Sequence, residues 1–342
     1  MAATKENNKK ELKKREDIAR KNILRKSKEA QGVKIKGYDF NGGVDYEKIL
    51  DSYSSTGLQA SNFAKAVEIV NEMISSKAYI YLGYTSNIIT SGLREVVRFL
   101  AEHKMINVLV TSAGGIEEDI IKCLGDFTLG DFRASGKELR KKGINRAGNI
   151  FIPNSRYCSF ENFIIPVFEK LYSEQKETGK ITTPSELIWE LGKAINNPKS
   201  VYYQCYKNQI QVFCPAITDG SIGDMVYFFK SSHPDFKIDV AEDIWKMNNT
   251  TIGLKKSGII ILGGGFIKHH ICNANMFRNG ADYAVYINTN QEYDGSDSGA
   301  LPEEAVSWGK ILPNAKSVKL YAEASLVFPL IVAKTFAKKR FN

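Results

Sequence analysis

"SGIIILGGG", residues 257–265, runs through four consecutive branched aliphatic side chains into three glycines. A strand with one face in water alternates apolar and polar residues. This one does not alternate, so both of its faces are expected to be buried, as in a parallel sheet covered by helices. The same unit, an apolar run ending in a short loop of Gly, Ser, Thr, Asn or Asp, recurs along the chain. "AYIYLGYTSN" (78–87) precedes a segment in which Leu93, Val96, Val97 and Leu100 share one helical face. "INVLVTSAGG" (106–115) precedes "IEEDIIKCL" (116–124). "GNIFIPNS" (148–155), "IQVFCPAITDGSIGD" (210–224) and "DYAVYINTNQEYDGSDSG" (282–299) are further strand-plus-loop units, and "VKLYAEAS" (318–325) runs into "LVFPLIVAKTF". Before them, "SNFAKAVEIVNEMI" (61–74) places Phe63, Val67, Val70 and Ile74 on one face, with Ser61 as the expected N-cap. The pattern predicts an α/β fold in which ligands bind beyond the carboxyl ends of the strands.

Composition narrows the function. With 43% hydrophobic and 25% charged residues, the 342-residue chain has enough apolar surface for a sizeable core. It has no apolar run long enough for a membrane span and no apolar leader core at its N-terminus. Its five cysteines are scattered and none forms a CxxC pair, which predicts free thiols, no zinc site and a cytoplasmic protein. The net charge of +9 is uneven: residues 1–36 carry 13 Lys/Arg against 5 Asp/Glu, leaving the other 306 residues with a net +1. The basicity belongs to one appendage, and no nucleic-acid module is recognisable, so a nucleic-acid partner is not expected. Residues 1–36 are expected to form a basic, helical extension, and 37–342 the catalytic domain. The simplest role for the extension is a solvated one.

The loops carry the chemistry. "GYTSN" (83–87), "TSAGG" (111–115) and "GGG" (263–265) offer small side chains and backbone N–H groups, as close approach to a pyrophosphate requires. None is a GxGxxG fingerprint. Carboxylates crowd the same loops: Glu117, Glu118, Asp219, Asp224, Asp294, Asp297, Glu304 and Glu323. Taken singly they are ordinary caps or solvated charges; clustered, they suit a polycation. Trp308 adds a ring for a cation–π contact. Adjacent His269 and His270 on one helix would diverge by about 100°, which disfavours a shared metal and leaves one of them as a general base. Lys310, in "AVSWGKI", is either a solvated charge or a nucleophile in a prepared pocket.

"TSAGGIEEDIIKCL", "PAITDGSIGDM", "ILGGGFIKHHICNANMFRNGADYAVYINT", "QEYDGSDSGALPEEAVSWGKI" and "ASLVFPLIVAKTFA" resemble the deoxyhypusine synthase family, from about Gly37 to the end. The resemblance implies a Rossmann-like sheet with helices on both faces. It also implies a homotetramer with shared active sites. The implied reaction is NAD-dependent transfer of the aminobutyl group of spermidine to one lysine of the translation factor 5A precursor, with release of 1,3-diaminopropane. NAD would be held by Ser86, Asn87, Thr90, Ser112, Ala113, Gly114, Glu118, Asp219, Gly264, Thr289, Asn290, Asp294, Glu323 and Ala324. Spermidine would meet Glu117, Glu118, Asp224, His269, Asn273, Gly295, Ser296, Asp297, Glu304, Trp308 and Lys310, with His269 as base and Lys310 as the covalent lysine. No metal is implied. Two positions depart from the family pattern: Asn290 stands where Ala is usual after Thr289, and Glu323 where Asp is usual. Homospermidine synthases, which use putrescine as acceptor, share the same residues, and non-catalytic regulatory paralogues share the fold.

Overall fold

The computed structural model describes residues 2–341; residues 1 and 342, the outer ends of the two expected domains, lie outside the described residues. The described chain divides after Lys36 into two compact units. The first contains the helix Ala2–Ile23. Its sequence supplies almost no apolar face. Pairs one turn apart stabilise it instead, Arg15 with Glu11 at 2.8 Å and Arg20 with Glu16 at 2.9 Å, each contributing about 0.3–0.5 kcal/mol.

Among the described residues the second unit has nine strands: β1 (Tyr79–Tyr84), β2 (Val108–Thr111), β3 (Thr128–Leu129), β4 (Ile144–Ala147), β5 (Ile150–Pro153), β6 (Gln211–Phe213), β7 (Ser257–Leu262), β8 (Ala281–Asn288) and β9 (Ile311–Tyr321). Six of them form a wholly parallel sheet in the order β6-β2-β1-β7-β8-β9. Counted along the chain this is 3-2-1-4-5-6, the doubly wound order, and the winding reverses between β1 and β7. A crevice therefore opens at the carboxyl ends of these two strands.

The unbroken apolar runs are explained by burial on two sides. Ile80, Leu82 and Tyr84 of β1 enter one core with Ile260, Leu262, Val285 and Ile287. Tyr81 enters the other with Val108, Val110, Ile259, Ile261 and Tyr286. The first core is the thicker. It is closed by the helices Leu58–Ser75, Leu93–Glu102, Ala113–Leu124 and Ala324–Val332 together with those between residues 155 and 230. The second rests on three helices, Val240–Asn249, Gly265–Met276 and Pro302–Ser307, through Met247, Ile267, Ile271 and Ala305. Trp245, Phe277 and Trp308, on or just beyond these three helices, remain exposed.

Two local expectations are corrected. "GNIFIPNS" does form a strand, but not in the parallel sheet: β5 pairs antiparallel with β4 and β3 in a separate three-stranded sheet. Only Gly148 and Asn149 separate β4 from β5, and so short a connection makes a hairpin rather than a crossover. Ser61 is not an N-cap. The helix begins at Leu58 after Gly57, and the Ser61 hydroxyl accepts the Gly57 N–H at 3.1 Å from inside the first turn.

Candidate functional site

A cleft of about 670 Å³ lies at the crevice between β1 and β7. It is lined by the loop after β1 (Thr85, Ser86, Asn87), the loop after β2 (Ser112, Gly114), the loop after β7 (Gly263, Gly264, Gly265), the end of β8 (Asn288, Thr289, Asn290) and the loop after β9 (Ala322, Glu323, Ala324), with Asp219 and Gly220 opposite. The continuously apolar strands place these polar loops at one edge, so residues more than 200 positions apart meet there. Helices Ala113–Leu124 and Gly265–Met276 begin at this cleft, and neither has a side-chain cap on its first N–H groups. Uncapped N–H groups and the helix dipole favour an anion such as a pyrophosphate. The cleft wall is tightly packed at Gly264, where a Cβ would lie 2.7 Å from the Cα of Ser298, another lining residue.

Two carboxylates form part of the cleft wall. Helix Ala113–Leu124 is anchored by Asp119, fully buried, which accepts from Arg94 Nε at 2.6 Å, Ser200 Oγ at 2.5 Å and the Val201 N–H at 3.1 Å. That anchor fixes Glu117 and Glu118 on the cleft side. Glu117 accepts the Ile222 N–H at 2.8 Å, and burial raises its pKa above the ordinary carboxylate value. Glu118 accepts from the Thr90 hydroxyl. Burial, reinforced by the neighbouring Glu117 charge, pushes it up to about 7. Two adjacent acids that resist ionising together make a site that gains from an incoming cation.

A second group of residues gathers beneath helix Pro302–Ser307. The turn after this helix is closed by the Gly309 N–H on Val306 O at 2.9 Å and the Lys310 N–H on Ala305 O at 3.0 Å, with Gly309 at φ +71°. The carbonyl of Lys310 accepts the Ala281 N–H at 3.0 Å, locking the residue at the head of β9. Its side chain is only 8% exposed, and its Nζ lies 5.5 Å from the centre of the Trp308 ring. Among the described residues no carboxylate lies within 4 Å of it. Lys310 is therefore a buried amine and not a solvated charge. His269, exposed on helix Gly265–Met276, has its Nδ1 3.7 Å from Asp297 Oδ1. His270, next along the helix, is turned inward; its Nε2 is buried without a partner, and burial holds its pKa down at about 4. The two rings diverge as helical spacing requires.

The expected residues do not all meet in the cleft. Ser86, Asn87, Ser112, Gly114, Glu117, Glu118, Asp219, Gly264, Thr289, Asn290, Glu323 and Ala324 line the cleft. Thr90 and Ala113 are buried, Thr90 through its bond to Glu118 and Ala113 in the core. Asp224 lies in the first turn of helix Ser221–Lys230, where its charge reaches Glu117. His269, Asp297, Glu304, Trp308 and Lys310 do not line the cleft. Asp294 and Ser296 border a separate hollow with Asn290, Tyr293 and Ser298, and Gly295 between them is exposed. Asn273 is half-buried one helical turn beyond His269. Sequence reading missed Lys268 and Lys319. Both are buried, at 2% and 5% exposure, and both bond to backbone carbonyls of the 289–301 loop. The nearest signal was a lysine inside an otherwise apolar helical or strand face.

A family model, deoxyhypusine synthase, matches residues 48–335. The chain belongs to the deoxyhypusine synthase family. It is 52% identical over 346 residues to the deoxyhypusine synthase of Senecio vernalis, with 93% of each chain covered. It is 51% identical to homospermidine synthase 2 of the same plant, with 95% of each chain covered. A solved structure from Entamoeba histolytica, assigned to deoxyhypusine synthase, superposes with a TM-score of 0.63 at 36% identity, over 89% of this chain and 97% of that one. The family's chemistry is aminobutyl transfer. No described helix is long and apolar enough to cross a membrane, all five cysteines are free, and no cluster of metal-binding side chains is present among the described residues.

Proposed function

We propose that this chain is an NAD-dependent transferase that moves the aminobutyl group of spermidine to one lysine of a translation factor 5A precursor, through an imine on Lys310. The observation that carries this reading is Lys310 itself, a buried amine with no carboxylate within 4 Å among the described residues, on a chain that also presents an exposed His269–Asp297 pair. The dinucleotide would lie in the cleft, across the two uncapped helix starts and Gly264, with Ser86, Asn87, Ser112, Gly114, Asp219, Thr289, Asn290 and Glu323 around it. These residues fit such a group. When bound, NAD supplies a hydride acceptor and later a hydride donor.

The chain's own residues do the rest. Glu117, Glu118, Asp297 and Glu304 bind the ammonium groups of the polyamine. His269, oriented by Asp297 at Nδ1, takes a proton from the secondary amine at Nε2 as the neighbouring carbon is oxidised. Lys310 attacks the resulting imine and expels 1,3-diaminopropane, which leaves with the proton it needs. The acceptor lysine then displaces Lys310. The nucleophile of this sequence is the buried Lys310 amine. As the family resemblance implies, we place the working site between copies of a homotetramer. The exposed Trp245, Phe277 and Trp308 supply apolar surface for such contacts.

The test is incubation of the purified chain with radiolabelled spermidine and NAD, with either the precursor protein or putrescine as acceptor, followed by borohydride trapping. Label on Lys310 and on the precursor protein supports the proposal. Label passing only to putrescine assigns a homospermidine synthase, the activity carried by relatives at similar identity. No label on Lys310 overturns the mechanism.

A further inference from the structure

The 289–301 segment between β8 and helix Pro302–Ser307 contains no helix or strand, yet it carries Asp294, Ser296 and Asp297. A loop of this length needs fixing before it can present side chains to a substrate. Two buried ammonium groups fix it. Lys268 Nζ, from helix Gly265–Met276, donates to the carbonyls of Asp297 and, at 2.8 Å, Ala300. Lys319 Nζ, from β9, donates to the carbonyls of Asn290, at 2.6 Å, and Gly299. The two limbs of the loop touch, since a Cβ on Gly299 would lie 1.7 Å from Gln291 O. Each ammonium also faces a ring, Lys268 that of Tyr286 at 4.8 Å and Lys319 that of Tyr321 at 4.3 Å.

The bonding partners are neutral carbonyls, so neither charge is cancelled by an ion pair; among the described residues no carboxylate lies within 4 Å of either Nζ. The charged and titratable groups that Lys268 feels are Asp297 and Glu304, which favour its ammonium form, the Cys272 thiol, and Lys310, which disfavours it. Lys319 feels Lys268 and Glu292. Resting on the proposed role of Lys310, we propose that Lys268 is a positioning residue: it ties the Asp297 loop to the helix that bears His269 and so holds the His269–Asp297 pair in register. Lys319 ties the same loop to β9.

The experiment compares Lys268→Met, Lys268→Arg and Lys319→Met in the full chain. Three readouts are taken in the parent and in each variant: borohydride-trapped label on Lys310 at neutral pH, NAD affinity, and hydrogen exchange of the 290–300 amides. Lys268→Met is expected to lower label about tenfold and to speed exchange in the loop. Lys268→Arg should restore most of the label. Lys319→Met should speed exchange as well. NAD affinity should change less than threefold in all three. Undiminished label, or normal loop exchange, in a folded Lys268→Met variant would overturn the proposal. If the parent chain itself took no label on Lys310, the mechanism would fail instead, and the exchange data would still decide whether Lys268 fixes the loop.

Discussion

Glu118→Gln tests the electrostatics of the cleft directly. The Glu118 carboxyl is buried beside Glu117, and its pKa stands at about 7 against an ordinary 4.5. The unfolded chain loses this proton near pH 4.5 and the folded chain near pH 7. Folded protein therefore binds more protons between those values, and its stability falls as pH rises through that window. At 1.36 kcal/mol per unit the full shift corresponds to roughly 3.4 kcal/mol. Because the cleft admits water and the two acids titrate together, about 1–3 kcal/mol is the expected size. Glutamine keeps an acceptor for the Thr90 hydroxyl and never ionises. In denaturant unfolding of the ligand-free protein, Glu118→Gln should differ from the parent by under about 1 kcal/mol at pH 5. It should be about 1–3 kcal/mol more stable at pH 8.5. Equal differences at the two pH values, or a less stable variant at pH 8.5, would show that Glu118 is already ionised in the fold and refute the reasoning.

Lys310→Arg keeps a cation but cannot form an imine, so transfer should fall by at least a thousandfold while NAD and spermidine still bind; normal transfer would return Lys310 to a structural role. Asp297→Ala should weaken spermidine at least tenfold and leave NAD within threefold, because the acid pairs with His269, is proposed to meet the polyamine and does not line the cleft. Equal losses for both ligands in equilibrium binding would contradict that. Gly264→Ala should lower NAD affinity tenfold or more in a folded protein, since the added methyl meets the Ser298 backbone at 2.7 Å; unchanged affinity would move the dinucleotide elsewhere.

The sequence determined the sheet and the location of its loops, because both follow from local pattern. An unalternating run such as Ile259–Leu262 fits a strand buried on both sides, and a glycine-rich end fits a crevice or a turn. Long motifs named the residues expected to meet the two ligands, Lys310 among them. What the pattern could not decide was pairing. Ile150–Pro153 has the same apolar texture as the central strands, yet a two-residue turn diverts it into a hairpin. The state of Glu118 depends on Thr90 and Glu117 and on exclusion from water, not on its own neighbours in the chain alone. Lys268 and Lys319 read as ordinary charges at buried positions of a helix and a strand. Only tertiary packing brings them under the carbonyls of a loop about 20–30 residues away in sequence. Periodicity records which face of an element is buried, whereas the pairing of a buried charge is set by contacts between elements, and those exist only once the chain has folded.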